Sequence, residues 1–126
     1  MKSKFLILGI LSILFFTTKL EKGIWHNPIN DTLLFNIARV ESNFNPKAVS
    51  KKGALGMYQI RSVVWEKELK KQGIIKHRKD LFDEKKSKEA AIYILTKYHR
   101  QTGDLRKTLH KYSGGAKNYF QKVMGE

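Results

Sequence analysis

The sequence predicts an all-α domain, and three observations lead to this prediction. Five segments between residues 31 and 124 place apolar residues at helical spacing. Three of them begin at Asp or Ser and end at Gly or Asn, residue types that start and stop helices. The chain has 126 residues and no cysteine, which allows one domain with one core and excludes disulfides and cysteine-bound metals.

The first helix is predicted over residues 31–42, with Asp31 as its N-cap. The residues expected to face the core are Leu33, Leu34, Ile37, Ala38 and Val40. The chain then reads Asn-Phe-Asn-Pro, which ends a helix because Asn favours turns and the residue before proline avoids the α region.

Glu41 is an unusual residue in this helix, because it continues the apolar stripe formed by Leu34, Ile37 and Ala38. A carboxyl group on an apolar face is expected to be partly desolvated, which raises its pKa toward the range useful for proton donation. Glu41 is therefore a candidate general acid. The alternative interpretation is a solvated acid at the rim of the core, which is the commoner situation for a Glu near a helix end.

The second helix is predicted over residues 63–72, with Ser62 as its cap and Gly73 as its stop. Its expected core residues are Val64, Trp65 and Leu69.

The remaining helices follow from the same signals. Asp83 starts the longest helix, which stops before Gly103. Shorter helical segments are predicted over residues 105–112 and 116–124. The expected inward residues of the longest helix are Ala90, Ala91, Ile94, Leu95 and Tyr98.

A motif with fixed spacing surrounds the candidate acid. Glu41-Ser42 is followed by Asn45-Pro46 and then by SKKGALGMYQ at residues 50–59. This order resembles the catalytic region of lytic transglycosylases of the soluble, goose-lysozyme-like type, including the small ones that serve secretion and conjugation systems. The resemblance implies a lysozyme-like helical domain at residues 31–126, preceded by a linker at residues 21–30.

A second part of the resemblance lies near the C-terminus. The family carries Ala-Tyr-Asn-Ala-Gly where this chain has KYSGG, so that Tyr112 and Gly115 match. Ser113 replaces the family Asn and Gly114 replaces the Ala. The family's Pro and Thr shortly after Gln59 are also missing.

The resemblance implies cleavage of the β-1,4 bond between N-acetylmuramic acid and N-acetylglucosamine in peptidoglycan. Glu41 would protonate the leaving oxygen and then, as a carboxylate, take the proton of the muramic C6 hydroxyl, giving a 1,6-anhydro product. Tyr112 would hydrogen-bond Glu41, and Ser42 would orient Glu41 or the substrate. No metal or cofactor is implied. The residues expected to bind substrate are Ser42, Gly56, Met57, Tyr58, Gln59, Tyr112 and Ser113.

Two alternatives to this function remain at the level of sequence. A lysozyme-like hydrolase would need a second carboxylate about 5–10 Å from the first. The candidates for that role, which all lie on predicted polar faces or helix starts, are Glu66, Asp80, Asp83 and Asp104. The other alternative is a non-catalytic module that binds peptidoglycan or a secretion apparatus.

The N-terminal segment predicts export. A basic start precedes an apolar run at residues 5–16, which has the length of a secretory signal and is short for a membrane span. Residues 1–20 are therefore expected to be a signal peptide. Because no clear cleavage site follows, an uncleaved membrane anchor is the alternative. A buried core helix is disfavoured, since the run is apolar on all sides. The expected location is the periplasm or cell envelope.

The chain is strongly basic, with a formal net charge of +14. This charge favours polyanionic partners such as nucleic acid, anionic lipid or cell-wall polymers, and does not choose among them. No nucleic-acid motif with interleaved aromatic residues is present in the sequence. The resemblance implies glycan strands of peptidoglycan as the partner, with a secretion, conjugation or phage apparatus as a further candidate.

Overall fold

The computed structural model describes residues 27–126 and confirms a mostly helical domain. The predictions for residues 1–20 lie outside the described residues. The helices and strands are, in chain order, α1 (Asp31–Ser42), β1 (Ala54–Leu55), β2 (Ile60–Arg61), α2 (Ser62–Lys71), a short 3₁₀ helix (Arg78–Phe82), α3 (Glu84–Thr102), α4 (Leu105–Tyr112) and α5 (Tyr119–Met124). None of the helices within residues 27–126 is long and apolar enough to cross a membrane.

The N-caps of the first two helices differ from the predicted ones. Asn30, rather than Asp31, has the extended backbone of a cap, and its Oδ1 accepts the Leu33 N–H at 2.9 Å. The predicted cap of α2, Ser62, is already the first helical residue and is buried, while Arg61 occupies the cap position without a side-chain hydrogen bond. In both cases a neighbour in extended backbone takes the cap position.

The prediction that Val64 lies in the core is wrong, since 55% of its surface is exposed. The buried residues of α2 are Ser62, Trp65 and Leu69, spaced at i, i+3 and i+7 along one face. A helix that buries this face turns Val64 away from the core.

The longest helix begins and ends as the sequence predicts. The Asp83 carboxylate accepts the Lys86 N–H at 2.9 Å, and Gly103 closes α3 in the left-handed conformation at φ 65°. Gly73 likewise follows α2 with φ 73°. The predicted inward residues of α3 that are fully buried are Ala90, Ala91, Ile94 and Leu95. They join a single core with the buried residues of α1, and the last residues of the expected linker contribute Ile29 to it.

A two-stranded antiparallel ribbon interrupts the helical architecture. Ala54 pairs with Arg61 and Leu55 pairs with Ile60, and residues 56–59 form the turn between them. The Gly56 N–H donates to the Ala48 carbonyl at 2.8 Å, which ties this turn back to the loop after α1. The ribbon thus brings the glycine-containing motif next to the C-terminal end of α1.

Candidate active site

Glu41 lies in the last turn of α1, where the chain leaves the helix through two left-handed residues. Asn43 and Phe44 have φ angles of 51° and 64°, and their N–H groups donate to the Arg39 and Ala38 carbonyls at 3.0 and 3.3 Å. Left-handed backbone costs non-glycine residues on the order of 1 kcal/mol each. The hydrogen bonds that cap the helix offset this cost, so the exit of the chain is fixed just after Glu41.

The carboxyl group of Glu41 is half-buried, as its place on the apolar stripe predicts. Burial raises its pKa above the ordinary value of 4.5, while the Tyr119 hydroxyl and the Arg61 guanidinium act in the opposite direction. Burial is the largest of these effects. Glu41 therefore holds its proton more tightly than a solvated glutamate and faces groups that stabilise its charged form.

Two tyrosines approach Glu41, and the structure gives them different roles from those expected. The Tyr112 hydroxyl donates to the Tyr58 carbonyl at 2.7 Å, so the predicted hydrogen bond from Tyr112 to Glu41 is replaced by one to the loop. The Tyr119 hydroxyl is buried and meets no partner at hydrogen-bonding geometry within residues 27–126. The same hydroxyl lowers the pKa of Glu41, as a group that can donate to the carboxylate does.

Arg61 and Tyr119 are the two site residues that the sequence did not reveal. Arg61 lies two residues after Gln59, in the stretch where the family's Pro and Thr are missing. The sequence pattern marked Tyr119 only as one of the apolar residues of the last predicted helix. Both reach Glu41 through the tertiary fold.

The predicted site residues converge on one short loop. Its three successive carbonyls at Gly56, Met57 and Tyr58 each accept a hydrogen bond from a motif side chain. The donors are Gln59 Nε2 at 3.0 Å, Ser42 Oγ at 2.7 Å and the Tyr112 hydroxyl at 2.7 Å, in that order. Ser42 and Tyr112 thereby hold the loop against α1 and α4, while Gln59 closes the loop on itself.

Ser42 and Ser113 also organise the backbone around them. Ser42 Oγ accepts the Asn45 N–H at 3.1 Å, in addition to its bond to the loop. Ser113 Oγ donates to the His110 carbonyl at 2.9 Å and accepts the Ala116 N–H at 3.1 Å, which shapes the turn between α4 and α5. The structure thus gives both serines a clear role in positioning.

The side chains of Met57 and Tyr58 line a groove of about 370 Å³, and Glu41 is not among its lining residues. Phe35 and Phe44 form part of the wall, with ring centroids 4.8 Å apart. The groove is also lined by Asp31, Leu34, Ala38, Glu84 and Lys88. The side chains of Met57 and Tyr58 therefore face a groove that Glu41 does not line.

The four acids considered as a second catalytic carboxylate all have structural partners. Glu66 pairs with Arg78 at 2.9 Å, and Asp80 accepts the backbone N–H groups of the segment before the 3₁₀ helix. Asp83 and Asp104 are the N-caps of α3 and α4. The pKa of Glu41 is shifted by burial, by the Tyr119 hydroxyl and by the Arg61 guanidinium, and no second carboxylate is among these causes. Within residues 27–126, no cluster of three His, Asp or Glu residues could hold a metal ion.

A comparison with protein families matches residues 19–124 to the Transglycosylase SLT domain. Neither the search of curated proteins nor the search of solved structures finds a match. The family match covers most of the chain, and it agrees with the helical fold and with the motif around Glu41. The family consists of lysozyme-like lytic transglycosylases that act on peptidoglycan. The chain belongs to the transglycosylase SLT domain family.

Proposed function

We propose that this protein cleaves the β-1,4 bond between N-acetylmuramic acid and N-acetylglucosamine and releases 1,6-anhydromuramoyl products. The observation that carries the proposal is the setting of Glu41: a half-buried carboxyl with a raised pKa at the end of the motif helix. Hydrolysis by two carboxylates needs a partner at about 5–10 Å. The acids named as candidates for that partner are occupied elsewhere in the fold.

In the proposed reaction, Glu41 acts twice. As an acid it gives its proton to the glycosidic oxygen, while the N-acetyl group of the muramic residue assists departure of the leaving sugar. As a carboxylate it then takes the proton of the C6 hydroxyl, which attacks C1 and closes the anhydro ring. The proton count balances and no water is consumed. A group that must serve as acid and then as base benefits from a pKa close to the working pH.

The roles of the surrounding residues follow from their contacts. Ser42, Gln59 and Tyr112 hold the loop carbonyls and so fix the position of the loop backbone, starting at Gly56, beside Glu41. Ser113 shapes the opposite turn. We propose that Met57 and Tyr58 contact parts of the peptidoglycan strand away from the cleaved bond, because their side chains line the neighbouring groove.

We propose a location and a cellular role for the protein from its N-terminal sequence. Residues 5–16 would direct export to the periplasm or cell envelope, either as a cleaved signal or as a membrane anchor. A small catalytic domain there would open the wall locally for a secretion, conjugation or phage apparatus.

The test is digestion of purified peptidoglycan with the full-length protein, followed by mass spectrometry of the released muropeptides. Products one water lighter than the reducing forms are expected from the wild type and none from Glu41→Gln. Glu68→Gln is the matched control, because Glu68 pairs with Lys97 on the outside of α2 and should leave the products unchanged.

Other outcomes would contradict the proposal in distinct ways. Reducing products that disappear with Glu41→Gln would indicate a hydrolase with an additional catalytic group. Binding to peptidoglycan without release of any product would indicate a binding module. Anhydro products from Glu41→Gln would show that another residue is the acid.

A further inference from the structure

The surface of α4 and α5 carries positive charge without acidic residues to balance it. Residues 105–125 contain five Lys or Arg residues and no Asp or Glu. The ion pairs within residues 27–126 all use cations from α2, the 3₁₀ helix and α3. The cations of α4 and α5 are therefore free to meet an anion from outside the domain.

Most of this charge lies along one face of α4. The opposite face packs into the core through three buried residues, with Leu109 at its centre. The exposed face carries Arg106 with His110, and Lys107 with Lys111, each pair at i and i+4. Side chains at this spacing are neighbours, so the four groups form one basic stripe.

Two hollows open on this stripe, and Arg106 and His110 line both of them. The smaller hollow, of about 170 Å³, lies between α4 and α5. The larger one, of about 400 Å³, lies along α4 from the end of α3. We name the two together the basic groove. Its walls also include Lys107, Lys111, Asn118, Phe120 and Gln121.

An aromatic ring positions the Arg106 guanidinium in this groove. The Cζ atom of Arg106 lies 4.0 Å from the centroid of the Phe120 ring. A guanidinium that lies over a ring keeps its N–H edge for another partner, and two parallel N–H groups match the two oxygens of a carboxylate. Asn118 and Gln121 place amide donors in the same hollow. The groove therefore presents the groups that bind carboxylates.

The basic groove lies on helices that neighbour the helix of Glu41. Tyr119, which lines the smaller hollow, is the first residue of α5. Arg39, in the last turn of α1, donates from Nη2 to the Lys122 carbonyl of α5 at 3.2 Å. Glu41 belongs to the same turn of α1, so the fold joins the element that carries the candidate acid to one wall of the groove.

We propose that the basic groove binds the free carboxylates of the peptides that branch from a glycan strand of peptidoglycan. The identity of the polymer rests on the function proposed above. The smaller hollow fits a single small group, which favours a carboxylate branch over the broad face of a bilayer. Because the groove holds the strand and takes no part in proton transfer, its loss is expected to raise KM and to leave kcat unchanged.

The first measurement is co-sedimentation of the full-length protein with purified peptidoglycan that has been freed of phosphate polymers. Glu41→Gln is used as the background, so that the polymer is not consumed. The triple variant Arg106→Gln, Lys107→Gln, Lys111→Gln is expected to bind about tenfold more weakly, the order expected when three exposed charge pairs are lost together. All three positions are exposed, so the variant is expected to fold.

The matched control removes the same net charge from the other end of the domain. Lys76→Gln, Lys79→Gln and Lys85→Gln change three exposed lysines that form no ion pair within residues 27–126. They lie near the start of α3, a helix of 19 residues that extends about 27 Å before α4 follows. The control triple is expected to retain the affinity of the unmodified groove.

The second measurement changes the polymer instead of the protein. Coupling ammonia to peptidoglycan with carbodiimide converts its carboxylates to amides and keeps the glycan strands. The difference in affinity between the intact groove and its triple variant is expected to vanish on this polymer. With Glu41 restored, the triple variant is expected to raise KM for release of muropeptides about tenfold at unchanged kcat.

Three results would overturn the proposal. An equal loss of affinity in the control triple would show that net charge, and not the groove, binds the polymer. A difference that persists on amidated peptidoglycan would overturn the assignment to carboxylates. Groove-dependent binding to phosphatidylglycerol vesicles, with unchanged binding to peptidoglycan, would assign the groove to a membrane.

Sedimentation needs no turnover, so the two proposals can fail separately. A protein that binds peptidoglycan carboxylates through the groove but releases no anhydro products would refute the proposed function alone. A protein that releases anhydro products with the same KM in the groove variant would refute the inference about the groove alone.

Discussion

Gly56 is the residue at which a single methyl group should disturb the fold most. A Cβ on Gly56 would lie 2.0 Å from the backbone oxygen of Leu81, whereas real Cβ atoms essentially never come closer than 3.0 Å. In Gly56→Ala the loop and the 3₁₀ helix would therefore have to move apart by at least about 1 Å. Leu81 belongs to that 3₁₀ helix and its side chain is fully buried, so the movement would reach the core.

The cost of this substitution has two parts. Gly56 has a φ of +80°, and alanine in the left-handed region is strained by about 1–2 kcal/mol. Displacing a buried segment of a packed core adds about 1–3 kcal/mol. Together they predict a loss of about 2–5 kcal/mol, a large fraction of the roughly 5–15 kcal/mol that stabilises a domain. At about 4–8 °C per kcal/mol for a domain of this size, the melting temperature should fall by at least about 8 °C.

Equilibrium unfolding in urea, followed by the fluorescence of buried Trp65, measures this loss. Gly73→Ala is the matched control, since Gly73 has a φ of +73° and an added Cβ would meet nothing within 4 Å. The control should lose only the strain of about 1–2 kcal/mol. Equal losses in the two variants would refute the argument, because they would show that the close approach to Leu81 costs nothing.

Three further predictions concern charges and hydroxyls. Glu41→Gln should stabilise the fold at neutral pH. The pKa of Glu41 is higher in the native state than in the unfolded chain, so the carboxylate destabilises the native state above pH 4.5. The gain in the free energy of unfolding should vanish when urea unfolding is repeated below that pH. Asp80→Asn should destabilise the fold at neutral pH. Backbone N–H groups lower the pKa of Asp80 from 3.8 to about 2, so its carboxylate stabilises the native state above that range. A difference in urea midpoint between variant and wild type that persists below pH 2 would contradict this. Tyr112→Phe should cost about 1–2 kcal/mol in urea, because it leaves the Tyr58 carbonyl without its donor. An unchanged urea midpoint in this variant would show that the assigned contact is wrong.

Helix existence could be predicted from the sequence better than helix caps. The segment Leu105–Tyr112 was predicted with its observed bounds, because apolar spacing and the flanking Asp104 and Gly114 agree there. The cap of α1 was placed one residue late, on Asp31. Asn and Asp both serve as caps, and the choice between adjacent candidates depends on which backbone is extended, which tertiary packing decides.

The candidate acid could be predicted, but the groups that act on it could not. Glu41 stood out because a charge interrupts an apolar stripe, which is a local pattern. Arg61 and Tyr119 reach it from β2 and α5, and nothing in their own segments marks them. Phe44 lines the groove because two left-handed residues turn the chain there, a conformation that Asn43 favours and that Phe44 does not.

Most residues of the motif around Glu41 make structural contacts, and Glu41 is the exception. Ser42, Gln59 and Tyr112 each donate to one of three successive carbonyls of the same loop, and Gly56 permits the loop to pack against the 3₁₀ helix. Removing the hydroxyl of Ser42 or of Tyr112 leaves a carbonyl without that donor, at a cost of about 1–3 kcal/mol. The Gly56 carbonyl would still accept the backbone N–H of Gln59 at 3.1 Å if the Gln59 side chain were removed. Glu41 makes none of these hydrogen bonds to the loop, and burial of its carboxylate destabilises the native state. A motif whose other residues fix a scaffold around one unfavourably placed acid is what a site for proton transfer requires, because the acid gains its raised pKa from the burial that the scaffold imposes.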